Sequence, residues 1–466
     1  MCIMQGVVGV YSKRNATRKA FYLLYGVQHR GQESAGISTA GDRSLRSWRG
    51  RGLVSNVFHE QFSSFMHPDD YVVIGCASGE SANQVSLPPL ELETDRYKMS
   101  VALDGYFFYR GDNHNEEVVL SKIEESLGNR MDLESSVTEA IRGLTDSYYS
   151  LVLAVLDKEV DGSKLLVARD GRGVRPLYIG LNEDEFYAAS ESAPLDVLEG
   201  MGERFTERKD VTPGSLVVYG DEGVSVSQVL DPQPAHCAFE WVYFGRPDSI
   251  IEGRSVHSAR KMLGHKLVET HKLRRLYTDL SGSTDGMVLI PVPDSGRSVC
   301  TGVAETLGIT PDEGVIKNAY LGRTYIIDDP DFRKIASDLK HNIIRETIEG
   351  KKVVITDDSI VRGTVSESIA KSLLKAGAAE VEFLVSYAPI FNPCFSDPPE
   401  KFLAAAPFRE LGMREIGEGV ASRLPSINRV RYNSPENVIE AIGLPENKLC
   451  TFCITGKSPF GRKSNH

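Results

Sequence analysis

The sequence predicts two domains of different class: a sheet-rich α+β half, then an α/β half built on a doubly wound parallel sheet. Three observations carry this. At 466 residues the chain is longer than one core commonly serves, about 150 residues per domain being a usual allowance. Up to about residue 230, short β-rich runs alternate with helical stretches: GVVGVYS, YVVIG, KMSVALDGYFFY, YYSLVLAVLD, KLLVARD and GSLVVYG. Many short strands imply packed sheets. After LDPQPAHC (230–237), where prolines break a strand-like run, apolar runs alternate with amphipathic segments. These are MVLIPVPDSG then VCTGVAETLG, KKVVITDDS then VSESIAKSLLKAG, and finally VEFLVSYAP. A βαβ rhythm of this kind gives a mostly parallel sheet whose ligands sit at the carboxyl ends of the strands. The predicted domains are 1–232 and 233–466.

Composition narrows the classes further. With 41% hydrophobic and 25% charged residues the chain reads as a soluble globular protein, and no apolar run approaches the ~18 residues of a membrane span. A net charge of -11 supplies no basic surface for a nucleic-acid backbone. The opening MCIMQGVVGVYSKR puts apolar residues before basic ones, the reverse of a secretory signal. A cytoplasmic protein with neither membrane nor nucleic-acid partner is expected. The seven cysteines, at 2, 76, 237, 300, 394, 450 and 453, are odd in number and scattered, unlike a disulfide framework. Cys76 and Cys300 have no partner pattern and read as core thiols.

The strongest local signal is VVITDDSIVRGT, residues 353–364. A buried strand delivers two acids, Asp357 and Asp358, into a short loop that opens a helix. The helix N-terminus suits a phosphate, Gly363 allows close backbone approach, and the hydroxyls of Ser359 and Thr364 can donate to phosphate oxygens. Paired acids suit ribose hydroxyls or a hydrated Mg²⁺. Two acids after a strand can also merely cap a helix, but the full string resembles the PRPP-binding motif of type I phosphoribosyltransferases. CAFEWVYFGRPDS (237–249), EGRSVHSARKMLG (252–264), VPDSG (292–296) and GVIKNAYLGRTYI (314–326) narrow the resemblance to the amidophosphoribosyltransferase family. It implies that Ser295, Asp357 and Asp358 surround the Mg²⁺ of Mg-PRPP. The same resemblance implies that Ser359, Ile360, Val361, Arg362, Gly363 and Thr364 hold the 5-phosphate. Lys317, Arg323 and Thr324 would belong to a loop closing over the pyrophosphate, where cations stabilise the leaving charge and closure excludes water. Lys340 in DLKHNII is a weaker candidate for the same ligand.

Cys450 and Cys453 form a C-x₂-C pair, a spacing equally consistent with zinc, a redox pair or half of an iron–sulfur site. Some members of the resembled family carry a [4Fe–4S] cluster on four cysteines, and Cys237, Cys394, Cys450 and Cys453 stand in the corresponding segments. The resemblance implies a cluster of structural role, since amine transfer needs no redox step. Four thiolates would close a zinc site equally well.

In the N-terminal half, YGVQHRGQESAGIST (25–39), GRGVRPLYIG (171–180) and AASESAPLD (188–196) resemble class II glutamine amidotransferase domains. The implied fold is the Ntn-hydrolase-like αββα sandwich. These glutaminases use an N-terminal cysteine whose own α-amine is the base. Here the family pattern aligns with Gln5-Gly6-Val7-Val8-Gly9-Val10, so the nucleophile position is Gln5. Cys2 lies three residues early and precedes Ile3 where the family has glycine. The position of the substrate-carboxylate arginine is Ser78. The oxyanion segment reads Leu103-Asp104-Gly105, an acceptor where a donor is needed, and a substrate-amine segment has no counterpart. These departures together predict that glutamine hydrolysis is lost.

Three functions follow as expectations. The chain makes 5-phosphoribosylamine from Mg-PRPP and ammonia, or transfers the phosphoribosyl group to another acceptor, or binds PRPP as a regulatory partner without turnover. The complete loop segment favours turnover. The resemblance also implies a homo-oligomer.

Overall fold

The computed structural model describes residues 4–41, 44–59, 62–79, 87–108, 115–129, 131–160, 162–277, 286–318, 341–395 and 402–461. The chain divides into two compact units. The first comprises residues up to Cys237 with Asp248–Gly253 and Asn447–Cys450; the second comprises Ala238–Pro247, Arg254–Glu446 and everything from Thr451 onward.

Among the described residues of the first unit, two antiparallel sheets stack. One has the order Glu207–Asp210, Tyr178–Leu181, Phe186–Ala189, Gln5–Tyr11, Val72–Ser78, Ser34–Ala40, Leu45–Arg51. The other runs Gly223–Gln228, Ser215–Gly220, Gly162–Arg169, Ser147–Asp157, Tyr97–Phe107, Leu90–Glu93. Strand alternation sorts the side chains into layers. Val7, Tyr11, Ile74, Cys76, Val152 and Val167 fill the space between the sheets, whereas Val8, Val10, Ile37 and Val73 face the helices Ala16–Gly26 and Ala193–Gly200. Those helices meet where Gly26 lacks a side chain, since a Cβ there would lie 2.9 Å from Pro194. Helices Asn115–Gly128 and Leu133–Gly143 cover the second sheet. The second of them is started by Asp132, whose carboxylate accepts the Ser135 N–H at 3.1 Å as an N-cap. This is the expected αββα order.

The second unit holds a parallel sheet in the order Met287–Pro291, Lys352–Asp357, Glu380–Val385, Arg429–Tyr432. A row across it, Ile290, Ile355, Phe383 and Val430, feeds one core, and Leu289, Val354 and Leu384 feed the core on the opposite face. Burial on both faces explains why these strands read as continuous apolar runs. Helices Val256–Thr270 and Arg297–Leu307 cross at two glycines, a Cβ on Gly302 falling 2.0 Å from the Lys261 carbonyl. No described helix is long and apolar enough to cross a membrane.

Candidate active site

In the second unit, strand Lys352–Asp357 carries its apolar residues into the sheet and releases Asp357 and Asp358 at its carboxyl end, both nearly buried. Backbone bonds fix the turn: Ser386 N–H donates to the Asp357 carbonyl and Tyr387 N–H to that of Asp358, each at 2.9 Å. The VPDSG segment is tied beside it. Val292 N–H donates to the Thr356 carbonyl at 2.9 Å and Thr356 Oγ1 donates to the Gly296 carbonyl at 3.0 Å. Gly296 is required at that approach, since a Cβ would stand 2.1 Å from the Thr356 oxygen. Ser295 Oγ then donates to Asp357 Oδ1 at 3.0 Å. The Asp358 N–H donates to the same oxygen at 2.9 Å, and Ser359 Oγ donates to Asp358 Oδ2 at 2.6 Å.

Among the described residues no cationic side chain pairs with either acid. Burial, and next the charge of Asp358, push the Asp357 carboxyl well above the usual carboxylate range. A divalent cation or polarised hydroxyls would relieve that cost. Gly363, at φ 86, precedes helix Thr364–Lys375, whose first turn has no side-chain cap. Its one first-turn acid, Glu367, turns away to accept from Ser426 N–H and Oγ, which leaves the amide end open to an anion. Ser295 and residues 357–364 are thus brought together. Ile360 points into the core, so that position offers an anion its backbone alone. Lys317 Nζ lies 3.4 Å from Asp294 Oδ2 beside the VPDSG turn. Arg323, Thr324, Lys340 and Cys2 lie outside the described residues.

The corresponding end of the first unit is closed by ion pairs. Gln5 is an interior strand residue paired with Ser78. Its nitrogen is a peptide N–H following Met4 and donates to Asp104 Oδ1 at 3.1 Å, while its side-chain oxygen accepts from the buried Cys76 thiol at 2.9 Å. Arg30 Nη2 donates to Asp104 Oδ2 at 3.0 Å and Nη1 to Glu191 Oε1 at 2.9 Å. Arg175 Nε stands 3.5 Å from Asp104 Oδ1. His29 Nε2 is 2.6 Å from Glu191 Oε1, and Ser249 Oγ donates to Glu191 Oε2 at 2.7 Å. Two guanidinium groups therefore meet two carboxylates, all four side chains 2% exposed or less. Arg30, Arg175 and Glu191 sit in strings that the sequence flagged, yet nothing in those strings marks them as partners.

The cysteines divide between the units. Cys237 and Cys450 face each other in a short parallel pairing in the first. In the second, the Cys453 carbonyl accepts from Phe391 and Asn392 N–H, and its Sγ lies 3.2 Å from Tyr387 Oη. Thiol donors on a paired strand fit a soft metal or a cluster. Among the described residues, no three His, Cys, Asp or Glu side chains gather closely enough to hold a metal ion.

An acidic turn with an open helix end on a parallel sheet, joined to an αββα sandwich, defines a phosphoribosyltransferase attached to a glutaminase-type domain. No protein-family model matches the chain, but relatives match it nearly end to end. It is 35% identical to the amidophosphoribosyltransferase of Pyrococcus horikoshii, covering 97% of this chain and 96% of that one. Against the enzyme of Methanothermobacter thermautotrophicus the identity is 33%, with 97% and 94% covered. Two solved structures are also similar. The first, described as the allosteric regulatory enzyme of purine biosynthesis, has TM-score 0.81 at 29% identity and covers 97% of this chain and 96% of that chain. The second, glutamine PRPP amidotransferase from B. subtilis complexed with ADP and GMP, has TM-score 0.80 at 30% identity and 97% coverage of both. The chain belongs to the amidophosphoribosyltransferase family, phosphoribosyltransferases of purine biosynthesis.

Proposed function

We propose that the chain transfers the phosphoribosyl group of Mg-PRPP to ammonia, giving 5-phosphoribosylamine and pyrophosphate, and that it no longer hydrolyses glutamine. The observation that carries the second clause is the ion-paired Asp104. Its carboxylate, bound by Arg30, Arg175 and the Gln5 peptide N–H, offers no donor to an oxyanion, and Gln5 presents neither a thiol nor an α-amine.

For the transfer, the loop 359–364 and the open helix end bind the 5-phosphate, and Asp357 and Asp358 orient the ribose hydroxyls. Ser295, Asp357 and Asp358 would hold Mg²⁺, which supplies charge neutralisation on the departing pyrophosphate. Lys317, Arg323 and Thr324 belong to the loop that closes over that leaving group, and Lys340 is a weaker candidate for binding PRPP. Ammonia attacks C1 of the ribose as the bond from C1 to the pyrophosphate oxygen breaks, and the new amine loses one proton. Domain 1–232 then serves as a glutaminase-type domain without glutaminase activity, and 233–466 as the transferase. A four-thiolate [4Fe–4S] site on Cys237, Cys394, Cys450 and Cys453 belongs to the same reading and rests on the resemblance of their segments to the family, with the pairing of Cys237 with Cys450 beside it. So do a cytoplasmic location and a homo-oligomeric state.

The test is product analysis after incubation with Mg-PRPP and either ammonia or glutamine. Pyrophosphate release should depend on ammonia and rise with pH as more of it is unprotonated. Glutamine should give no product, and glutamine-analogue alkylators should not label the chain. Glutamate released from glutamine would overturn the loss of hydrolysis. Absence of pyrophosphate with either donor would point to another acceptor or to a non-catalytic PRPP-binding partner. Purified anaerobically, the protein should be brown with about four iron atoms per chain. Cys453→Ser should lose the colour, and stoichiometric zinc without iron would defeat the cluster.

A further inference from the structure

We infer that Ser426 is a positioning residue for the 5-phosphate: it holds the Glu367 carboxylate off the amide end of helix Thr364–Lys375, where a fixed negative charge would compete with the anion. The inference rests on the phosphate site proposed above. An anion site made of backbone needs its N–H groups free and its acceptors engaged elsewhere. The loop 359–364 has carbonyl oxygens of its own, and Glu367 adds a full charge in the first turn of the helix.

Segment 403–427 meets this loop at three points. Ala404 N–H donates to the Val361 carbonyl at 2.8 Å. Leu424 packs on Gly363, where a Cβ would stand 2.7 Å from its Cδ2. Ser426 Oγ donates to Glu367 Oε1 at 2.6 Å, and Ser426 N–H reaches both carboxylate oxygens at 3.2 Å. Two donors on one residue thus meet both oxygens of the acid. They stand on a turn that is itself tied down. Ile427 N–H donates to the Leu424 carbonyl at 2.9 Å. Asn428 N–H donates to the Val381 carbonyl and Asn428 Oδ1 accepts from Val381 N–H, each at 2.8 Å. Val381 lies in strand Glu380–Val385, which pairs directly with the strand that delivers Asp357. The Ser426 turn and the acidic turn therefore hang on the same sheet.

A carboxylate in the first turn is ordinarily attracted to the positive end of its helix and stabilises the helix there. In this loop that attraction would oppose binding, because the carboxylate and a phosphate carry the same sign and would claim the same N–H groups. Charge-assisted hydrogen bonds are roughly twice as strong as neutral ones. Those from Ser426 draw the carboxylate aside, so the helix keeps its open end although an acid stands in its first turn.

The experiment measures Mg-PRPP affinity by calorimetric titration, and steady-state turnover, for full-length wild type, Ser426→Asp, Ser426→Thr, and Ser426→Asp combined with Glu367→Gln. Ser426→Asp replaces the donor hydroxyl by a like charge and expels the Glu367 carboxylate. Its Kd and KM for Mg-PRPP should rise about 10-fold, the order that one charge at a helix end supplies. Its kcat should stay within about twofold of wild type, since the 5-phosphate is remote from the bond that breaks. Inorganic phosphate should weaken as a competitive inhibitor by a similar factor, and the deficit should shrink as salt is raised. Adding Glu367→Gln should restore affinity, because the amide brings no charge to the helix end and can donate to the introduced carboxylate. Ser426→Thr, which keeps the hydroxyl, should bind as wild type does. Equal Mg-PRPP affinity in wild type and Ser426→Asp would overturn the inference. So would a loss that Glu367→Gln leaves in place, the mark of a turn with a merely structural role. A wild type that binds no Mg-PRPP would overturn the phosphate site itself, and this inference with it.

Discussion

The acidic turn of the second unit and the Asp104 corner of the first are both polar ends of strands, and they differ in how their carboxylates are answered. Asp357 is buried with a serine hydroxyl and a peptide N–H for partners, and burial raises its pKa. Asp104 is equally buried but meets two guanidinium groups. An unneutralised buried carboxylate is costly and persists where a ligand completes it; a neutralised one completes itself. On the reading proposed above, the first arrangement is the binding site and the second a sealed one.

Removing both acids of the open site attacks that contrast most directly. Asp357→Asn with Asp358→Asn should lower Mg-PRPP affinity by roughly 10²-fold or more, since charged hydrogen-bonded partners are worth several kcal/mol. Calorimetric titration would read this, and unchanged affinity would place the ligand elsewhere. At the sealed corner, Arg30→Ala removes a guanidinium that pairs with both Asp104 and Glu191, and breaking a buried network should cost about 3–5 kcal/mol in urea unfolding. Arg30→Met with Asp104→Leu should recover part of that loss, because apolar replacement of a buried ion pair is often neutral and Glu191 keeps His29 and Ser249. A single variant as stable as wild type would mean that the corner is wet and open.

A smaller effect is expected where the open site depends on backbone alone. Gly363→Ala forces a side chain onto φ 86 and against Leu424, and should cost about 1–2 kcal/mol, chiefly in PRPP affinity. The smallest expected effect is none. Cys2→Ala should leave ammonia-dependent turnover, glutamine inertness and alkylator resistance as they are. A glutaminase activity that this substitution abolished would reopen the sealed corner.

The sequence determined the open site almost completely, because its parts are local. A strand, two acids, a glycine and a helix start lie within residues 353–364, and each dictates its neighbour's backbone and exposure. The alternation of apolar runs likewise determined both fold classes. Two details of that site were decided only by tertiary packing: the turning of Ile360 into the core and the capture of Glu367 by Ser426. The sealed corner was beyond the sequence. Substitutions at Gln5, Ser78 and Asp104 could be read as losses, but not what replaced the lost contacts. Arg30 reaches Asp104 across 74 positions and Glu191 across 161. A buried charge announces its partner only when the chain has folded, since strand register and sheet stacking, rather than spacing, bring the two within hydrogen-bond reach.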